Sequence, residues 1–451
     1  MNTKPETVGN ALSDLFPELP ANTYSHAAPA VMHRTQADRS DEVPSGYKQT
    51  EVGVIPSAWD VMRIGELFKS TAGGDLVSQR SSDVQSDSHP YPIFANGVSQ
   101  EGLYGFSDYT ENQPGSITIT ARGSLGVAFY RNTSFVAIGR LLVLKPKIRM
   151  DSRYFSNYIN HGVRFAVEST GVPQLTAPQV ARYSVPVPPE PEQRAIAEVL
   201  SDINKLLKAQ EVLIAKKRAL KHAVMQRLLT GECRLPGFNE TWQTKQLGEL
   251  IHLEPAGIYG VARQSEQLIG MPFATTTHIN LNDSWNNKEM GIRYFTEQQV
   301  ARFSPKEGDL IVVKSSGSAA SIQTGKVGYV SAGIAGTFIF SNFLMLLRPT
   351  NCDARFLYYQ LVSSRIKKNL PYLVEASTYP NLRISDYLEL QVPLPSNEEQ
   401  LAIVNVLSDM DDEITALEHR RDKTLLVKQN MMQQLLTGRI RLVELERTAD
   451  A

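Results

Sequence analysis

A chain of 451 residues is long enough for two to four domains, each with its own core. Its formal charge of −1 excludes a protein that coats nucleic acid by bulk charge, so binding to a polyanion has to come from local placement of Lys and Arg. Two distant cysteines, Cys233 and Cys352, exclude a disulfide framework and a thiolate zinc site, and suit a reducing, cytoplasmic compartment.

The first 43 residues are polar, rich in Ala, Ser, Pro and Thr, and carry no basic start followed by an apolar run. They are expected to form a disordered extension (1–43) with one short helix near Asn10–Phe16. Pro44–Pro56 is expected to be a connector. From Trp59 to about Ser184 short strands alternate with Gly-rich turns, at 115–120, 125–130 and 141–144, and a helix begins at Arg153. A long helix follows. Its apolar residues, among them Ile196, Val199, Leu200, Ile203, Leu207, Val224 and Leu228, fall on one stripe, and Gly231 marks its end. From Trp242 to about Gln391 the order repeats: a strand at Asp309–Val313, another at Phe343–Leu347 and a helix at Ala354–Leu361. The apolar window Gly333–Leu347 is broken by Thr337, Ser341 and Asn342. It is too short to span a membrane, and two buried strands account for it. A second long helix carries Ile403, Val406, Leu407, Met410 and Ile414 and stops near Gly438.

Two of everything indicates an internal duplication. With Gln193 set on Gln400, an offset of 207, Leu200-Ser-Asp202 meets Leu407-Ser-Asp409 and Leu228-Leu-Thr-Gly231 meets Leu435-Leu-Thr-Gly438, without a gap. Arg234-Leu235 meets Arg441-Leu442, and upstream Pro173 meets Pro380 and Leu175 meets Leu382. Trp59 and Ile64-Gly-Glu-Leu67 match Trp242 and Leu247-Gly-Glu-Leu250 at an offset of 183, so the second globular part is 24 residues longer. Helices of roughly 40 residues, about 60 Å long at 1.5 Å per residue, need a partner for their apolar stripe, and each is the obvious partner of the other. The alternative is two surface helices, each packed on its own domain. Ile203–Arg234 holds eight cations against two acids, whereas the second helix opens with Asp409, Asp411, Asp412 and Glu413, which favours pairing between the copies unless both are merely solvated faces. The fold expected is mixed α/β: globular domains at 44–187 and 235–394, helical spacers at 188–234 and 395–442, and a tail at 443–451. The two long helices are expected to form an antiparallel coiled coil within a pseudo-two-fold repeat.

No phosphate loop, dinucleotide fingerprint or nucleophile elbow is present; Gly325-Lys326 is followed by Val327 and lacks the upstream glycine. The Asn-Pro-Pro-aromatic motif of amino-methyltransferases is missing as well. Acidic pairs such as Glu398-Glu399 sit where acids favour a helix start. The chain is therefore expected to be non-catalytic, with no cofactor and no metal of its own. Two loops combine a cation, hydroxyls and glycine after a strand: Arg122 and Ser124 in the first copy, Lys314 and Ser316 in the second, at what reads as the matching position. Such loops can approach phosphates or guanine edges, although lone loop cations are as often simply solvated. Asn96, Gln174 and Asn381 are weaker candidates that could read adenine or could equally be turn formers.

Taken together, the chain resembles the specificity subunit of type I restriction–modification systems over about Gly46–Leu442. The motifs that carry the resemblance are the paired Pro-x-Pro…Gln helix starts at Pro186–Gln193 and Pro393–Gln400 and the paired Leu-Leu-Thr-Gly ends. Arg234-Leu-Pro-Gly-Phe238 before Trp242 and Tyr47–Pro56 before Trp59 add to it; the N-terminal extension departs from it. The resemblance implies two target-recognition domains, each reading one half of a split, asymmetric site in double-stranded DNA. The helices would set the half-site separation and dock two modification (methyltransferase) subunits. S-adenosylmethionine, ATP and Mg²⁺ would then belong to the modification and restriction/translocase partners, with no membrane involved. Two readers on an antiparallel pair would face major-groove segments on the order of 34 Å apart. The competing readings are a stand-alone DNA-binding protein of the same fold and a structural adaptor that binds protein.

Overall fold

The computed structural model describes residues 43–166, 173–286, 288–318, 321–375 and 380–442. The expected disordered extension with its short helix, apart from Val43, and the tail from 443 onward lie outside the described residues. The chain divides into two units, Met1–Val212 with His419–Ala451, and Leu213–Glu418.

In the first unit, β1 (Asp60–Arg63), β2 (Phe68–Ala72), β3 (Tyr91–Phe94), β4 (Leu103–Ser107), β5 (Ser116–Ile119), β6 (Ala128–Arg131), β7 (Val136–Ala137) and β8 (Leu142–Pro146) precede helix α1 (Ser152–Gly162). After β9 (Ser184–Val187) comes α2 (Glu190–Leu228), whose first half belongs to this unit. An antiparallel sheet runs β2-β8-β5-β6, and β7 lies parallel to β3 in a smaller mixed sheet that continues to β4. β9 returns to pair with β1. All four residues of β5 are buried, because the sheet is covered by α1 on one side and by the small sheet's hydrophobic residues on the other. The main core joins Trp59, Ile117, Leu144, Tyr154 and Phe155 to Ile196 and Leu200 of α2 and to Leu435 and Leu436. The expected connector at 44–56 is instead a hairpin, Tyr47–Thr50 against Gly53–Pro56. Gly53, at φ +109°, supplies its tight turn, a signal for chain reversal that is weak when the flanking strands are only four residues long.

The second unit repeats the scheme with β10 (Gln243–Gln246), β11 (Ile251–Glu254), β12 (Ile269–Ala274), β13 (Ile292–Phe295), β14 (Leu310–Val313), β15 (Val327–Tyr329), β16 (Ile339–Phe340) and β17 (Leu344–Pro349). Helix α3 (Ala354–Val362), β18 (Gln391–Leu394) and the first half of α4 (Asn397–Leu436) complete it. The large sheet runs β11-β17-β14-β15, β16 is parallel to β12, and β18 pairs with β10. Much of the extra length lies in the 275–291 connection between β12 and β13. That connection packs Trp285 on Phe338 and donates its indole N–H to the Tyr329 carbonyl at 2.8 Å.

The duplicated motifs have a shared physical job. In the first unit Glu192, wholly buried, accepts from Trp59 Nε1 at 2.8 Å and from Arg441 Nε and Nη2 at 2.6 and 2.8 Å. In the second, Glu399 accepts from Trp242 Nε1 at 3.0 Å and from Arg234 Nε and Nη2 at 2.5 and 2.7 Å. Glu399, read from the sequence as a helix-start acid, is thus the centre of a buried, charge-assisted clamp; a bidentate guanidinium compensates the carboxylate that burial would otherwise make costly. The adjacent glutamines act alike. Gln193 accepts from the Asp151 N–H at 3.0 Å and donates to the Pro188 carbonyl, and Gln400 accepts from the Asp353 N–H at 2.8 Å and donates to the Pro395 carbonyl. Since Asp151 and Asp353 cap α1 and α3, each Pro-x-Pro…Gln motif staples a domain helix to the start of a long helix.

Within each unit the long helices face one another. In the first, Gln210 donates to Thr424 Oγ1 at 3.2 Å. In the second, Lys217 pairs with Glu413, Arg218 with Glu418 at 2.5 Å, and Lys221 with Asp411. Lys217 and Lys221 lie on one face of α2 while their partners fall from 413 to 411, as antiparallel helices require. Ile214, Val224 and Leu228 of α2 and Ile403, Leu407 and Ile414 of α4 are buried beneath. These surface pairs are partly solvated, so replacing Lys217, Arg218 and Lys221 together by Ala should cost only about 1–2 kcal/mol. The deficit, measured by urea unfolding, should shrink in about 1 M salt. A deficit that ignores salt would mean that the ammonium and guanidinium stems, rather than their charges, carry the contact.

Candidate nucleic-acid interface

The buried strand β5 delivers Thr120, whose N–H donates to the Val127 carbonyl at 3.0 Å and whose carbonyl accepts from Gly126 N–H at 2.8 Å. The Thr120 hydroxyl donates to the Ser124 carbonyl, closing a tight loop over 121–126. Arg122 and Ser124 stand exposed on it. The Leu175 N–H donates to the Ala121 carbonyl at 3.0 Å, which brings Gln174 alongside, and Arg122 Nη2 donates to Gln174 Oε1 at 3.2 Å. Asn96 is used differently. Its Oδ1 accepts from the Ala121 N–H at 2.7 Å and its Nδ2 donates to the Gly139 carbonyl at 2.5 Å, so its amide braces the loop from below.

The second domain builds the same corner with a longer loop. The Val313 N–H donates to the Lys326 carbonyl and the Gly325 N–H to the Val313 carbonyl, both at 2.8 Å. The span between these anchors is six residues longer than in the first domain and folds into a small ribbon, Gly317–Ser318 against Ser321–Ile322. The Leu382 N–H donates to the Lys314 carbonyl at 2.9 Å, Ser315 bridges Asn381, and Ser316 Oγ donates to Thr276 Oγ1 at 3.2 Å. Lys314, Ser316 and Asn381 therefore share one corner, as Arg122, Ser124 and Gln174 share the other. Lys314 Nζ reaches the Pro255 carbonyl at 3.4 Å, and partial burial lowers its ammonium pKa.

The hydrogen-bond register contradicts the expected match between the two loop cations. Thr120 corresponds to Val313, so Ala121 corresponds to Lys314 and Arg122 to Ser315. The two cations do not occupy matching positions; the unequal loop lengths hid the shift.

Residues beneath the loops, which the sequence reading passed over, hold them in place. Arg131, with its side chain 3% exposed, lies over the Phe94 ring at 3.6 Å and donates to Thr118 Oγ1 at 2.9 Å and to the Glu101 carbonyl at 2.6 Å. Burial pulls its pKa down to about 10. It supports a turn in which Gln100 and Glu101 take φ of +47° and +55°. In the second domain Lys326 Nζ donates to the carbonyls of Thr276 and Ile279 at 3.0 and 2.5 Å, and Asp283 accepts from Lys367 at 2.7 Å and from the Val327 N–H at 2.8 Å. Burial is the chief cause that raises the Asp283 pKa and lowers that of Lys326. A lysine bonded to main-chain carbonyls beside a glycine gives no local pattern, which is why Gly325-Lys326 drew notice only as a failed phosphate loop. Cys352 is half-buried, and burial pushes its thiol up to about 12. Among the described residues no three His, Cys, Asp or Glu side chains are grouped to hold a metal ion.

The model of the type I restriction modification DNA specificity domain matches residues 56–215 and 239–426, most of both units. The chain belongs to this family. Each match in this type I specificity-domain protein begins beside the tryptophan of a clamp and ends within a long helix. The chain is 22% identical over 422 residues to the type I restriction enzyme MjaVIII specificity subunit of Methanocaldococcus jannaschii, covering 87% of this chain and 95% of that one. It is 20% identical over 420 residues to the EcoDI specificity subunit of Escherichia coli, covering 86% and 89%. The crystal structure of the type I restriction–modification S subunit from M. genitalium shares the fold, with a TM-score of 0.56 at 16% identity over 84% of this chain and 96% of that chain. Mixed α/β domains followed by long helices, twice in one chain, are the architecture of the family.

Proposed function

We propose that this chain is the non-catalytic specificity subunit of a type I restriction–modification complex, with each globular domain reading one half of a bipartite, asymmetric site in double-stranded DNA. The observation that carries the reading is the duplicated corner: one scaffold, built twice with different polar residues placed on it. In the first domain it presents Arg122, Ser124 and Gln174; in the second it presents Lys314, Ser316 and Asn381. A guanidinium or ammonium beside an amide or hydroxyl suits guanine and adenine edges in the major groove, and different sets imply different half-sites. The long helices dock modification subunits, which bring S-adenosylmethionine; ATP and Mg²⁺ enter with restriction/translocase subunits. The complex works in the cytoplasm, where the DNA is. In support, no described helix is long and apolar enough to cross a membrane.

Co-expression with the modification subunit of its own system, followed by mapping of methylated bases, tests this directly. A split motif that disappears when this chain is deleted is the expected result, and an unchanged methylation pattern would refute it. Arg122→Ala should relax recognition at one position of one half-site by about 1–3 kcal/mol, and Lys314→Ala should do so in the other half-site. Uniform weakening across all sequences would place these cations on phosphates instead. The adaptor reading predicts DNA affinity that is absent or insensitive to salt.

A further inference from the structure

Each domain carries a tight turn that leads from the strand parallel to its neighbour (β7, β16) into the large sheet (β8, β17). In the first domain the Leu141 N–H donates to the Ile138 carbonyl at 3.1 Å; in the second the Leu344 N–H donates to the Ser341 carbonyl at 2.9 Å. The surrounding bonds agree one by one. The N–H groups of Ile138 and Ser341 donate to Phe94 and Ala274, and those of Gly73 and Gly257 donate to Leu141 and Leu344. Arg140 and Phe343 therefore occupy the same place on the scaffold.

Neither side chain is buried in the core. Arg140 is exposed, has no side-chain hydrogen bond or ion pair among the described residues, and holds φ +67°, a conformation that costs an L-residue with a Cβ. Phe343 is 49% exposed, while Phe338, Ile339 and Phe340 just before it are buried. Both turns also touch the candidate reading loops. Asn96 ties Gly139, beside Arg140, to Ala121, beside Arg122, and the Phe343 carbonyl accepts from the N–H groups of Lys314 and Ser315 at 2.9 and 3.3 Å.

We infer that this turn position is a specificity-determining position in both domains, with Arg140 reading a guanine edge in the first half-site and Phe343 contacting a thymine methyl group in the second. The chemistry follows the residue types: a free guanidinium matches guanine O6 and N7, and a solvent-facing ring gains by covering an apolar methyl. The inference rests on the DNA-reading function proposed above.

The test uses the full chain assembled with its modification subunits and selection from duplexes with both half-sites randomised. Arg140→Gly relieves the backbone, so the variant should melt no lower than the wild type. It should still lose discrimination at one guanine-containing pair of the first half-site by about tenfold to a hundredfold, with the second half-site intact. Phe343→Ala should lose a thymine preference in the second half-site alone. Arg122→Ala and Lys314→Ala serve as references. If those references change the preference while Arg140→Gly and Phe343→Ala select the wild-type sequence, the turn inference fails and the DNA-reading function stands. Uniform weakening by Arg140→Gly also overturns the inference, because it places Arg140 on a phosphate. If none of the four variants alters preference, both readings fall.

Discussion

Glu399→Ala should destabilise the second unit by about 3–5 kcal/mol, read as a fall in the urea midpoint at unchanged slope. Glu399 is 1% exposed and accepts three hydrogen bonds, two from Arg234 and one from Trp242. Its removal strands a guanidinium and an indole N–H together. Water can reach part of Arg234, whose side chain is 26% exposed, so the loss belongs at the lower end of that range. Glu399→Gln keeps the shape and one acceptor but not the charge, and should fall between wild type and alanine. The repeat supplies an internal replicate, since Glu192→Ala removes the same three bonds from Trp59 and Arg441 in the first unit. A loss below about 1 kcal/mol for either alanine would show that the clamp is no stronger than a surface ion pair.

Gly257→Ala is the second large effect. A methyl group there would lie 2.0 Å from the Phe340 carbonyl oxygen and 2.5 Å from its ring, and the oxygen is main chain that cannot swing aside. Overpacking of this kind costs about 3 kcal/mol. The displaced strand is β16, which leads into the Ser341–Leu344 turn, so recognition of the second half-site should suffer along with stability while the first half-site is spared. Gly73→Ala, with its methyl 2.6 Å from the Ala137 carbonyl oxygen, should mirror this in the first domain. Wild-type melting and selectivity for both variants would show that the turn tolerates being moved.

The frame was open to sequence reading because it repeats without gaps: a constant offset of 207 exposes every helix-borne pair, and 3.6-residue periodicity needs no tertiary knowledge. The buried strands β14 and β17 were legible as short apolar runs, and β5 as the alternating Ser-Ile-Thr-Ile segment. The parallel pairing of β3 with β7 was not, because residues some forty positions apart in sequence leave no local signature of such contact. The clamp was half visible. Trp59 and Trp242, and Arg234 and Arg441, had already been matched, but nothing local distinguishes an acid that favours a helix dipole from one that is buried against a guanidinium. In the candidate site, Arg122 with Gln174 and Lys314 with Asn381 came together as neighbours. The register between the two cations was misjudged because a loop carries no periodicity to count along, and Arg140 and Phe343 are conspicuous only once strain and exposure can be seen.

In the first unit, the Tyr47 hydroxyl donates to the Gly438 carbonyl at 2.9 Å, and Gly438, at φ +70°, leaves room for Pro56 where a side chain would otherwise project. The beginning and end of the described chain thus meet within the first unit, and the path is cut there. The cut need not stay there. A circular permutant that opens in the 235–241 linker and joins Leu442 to Val43 should keep both clamps, since neither draws on a residue of that linker. Chain order is then a matter of gene arrangement, and either reading domain can be encoded first.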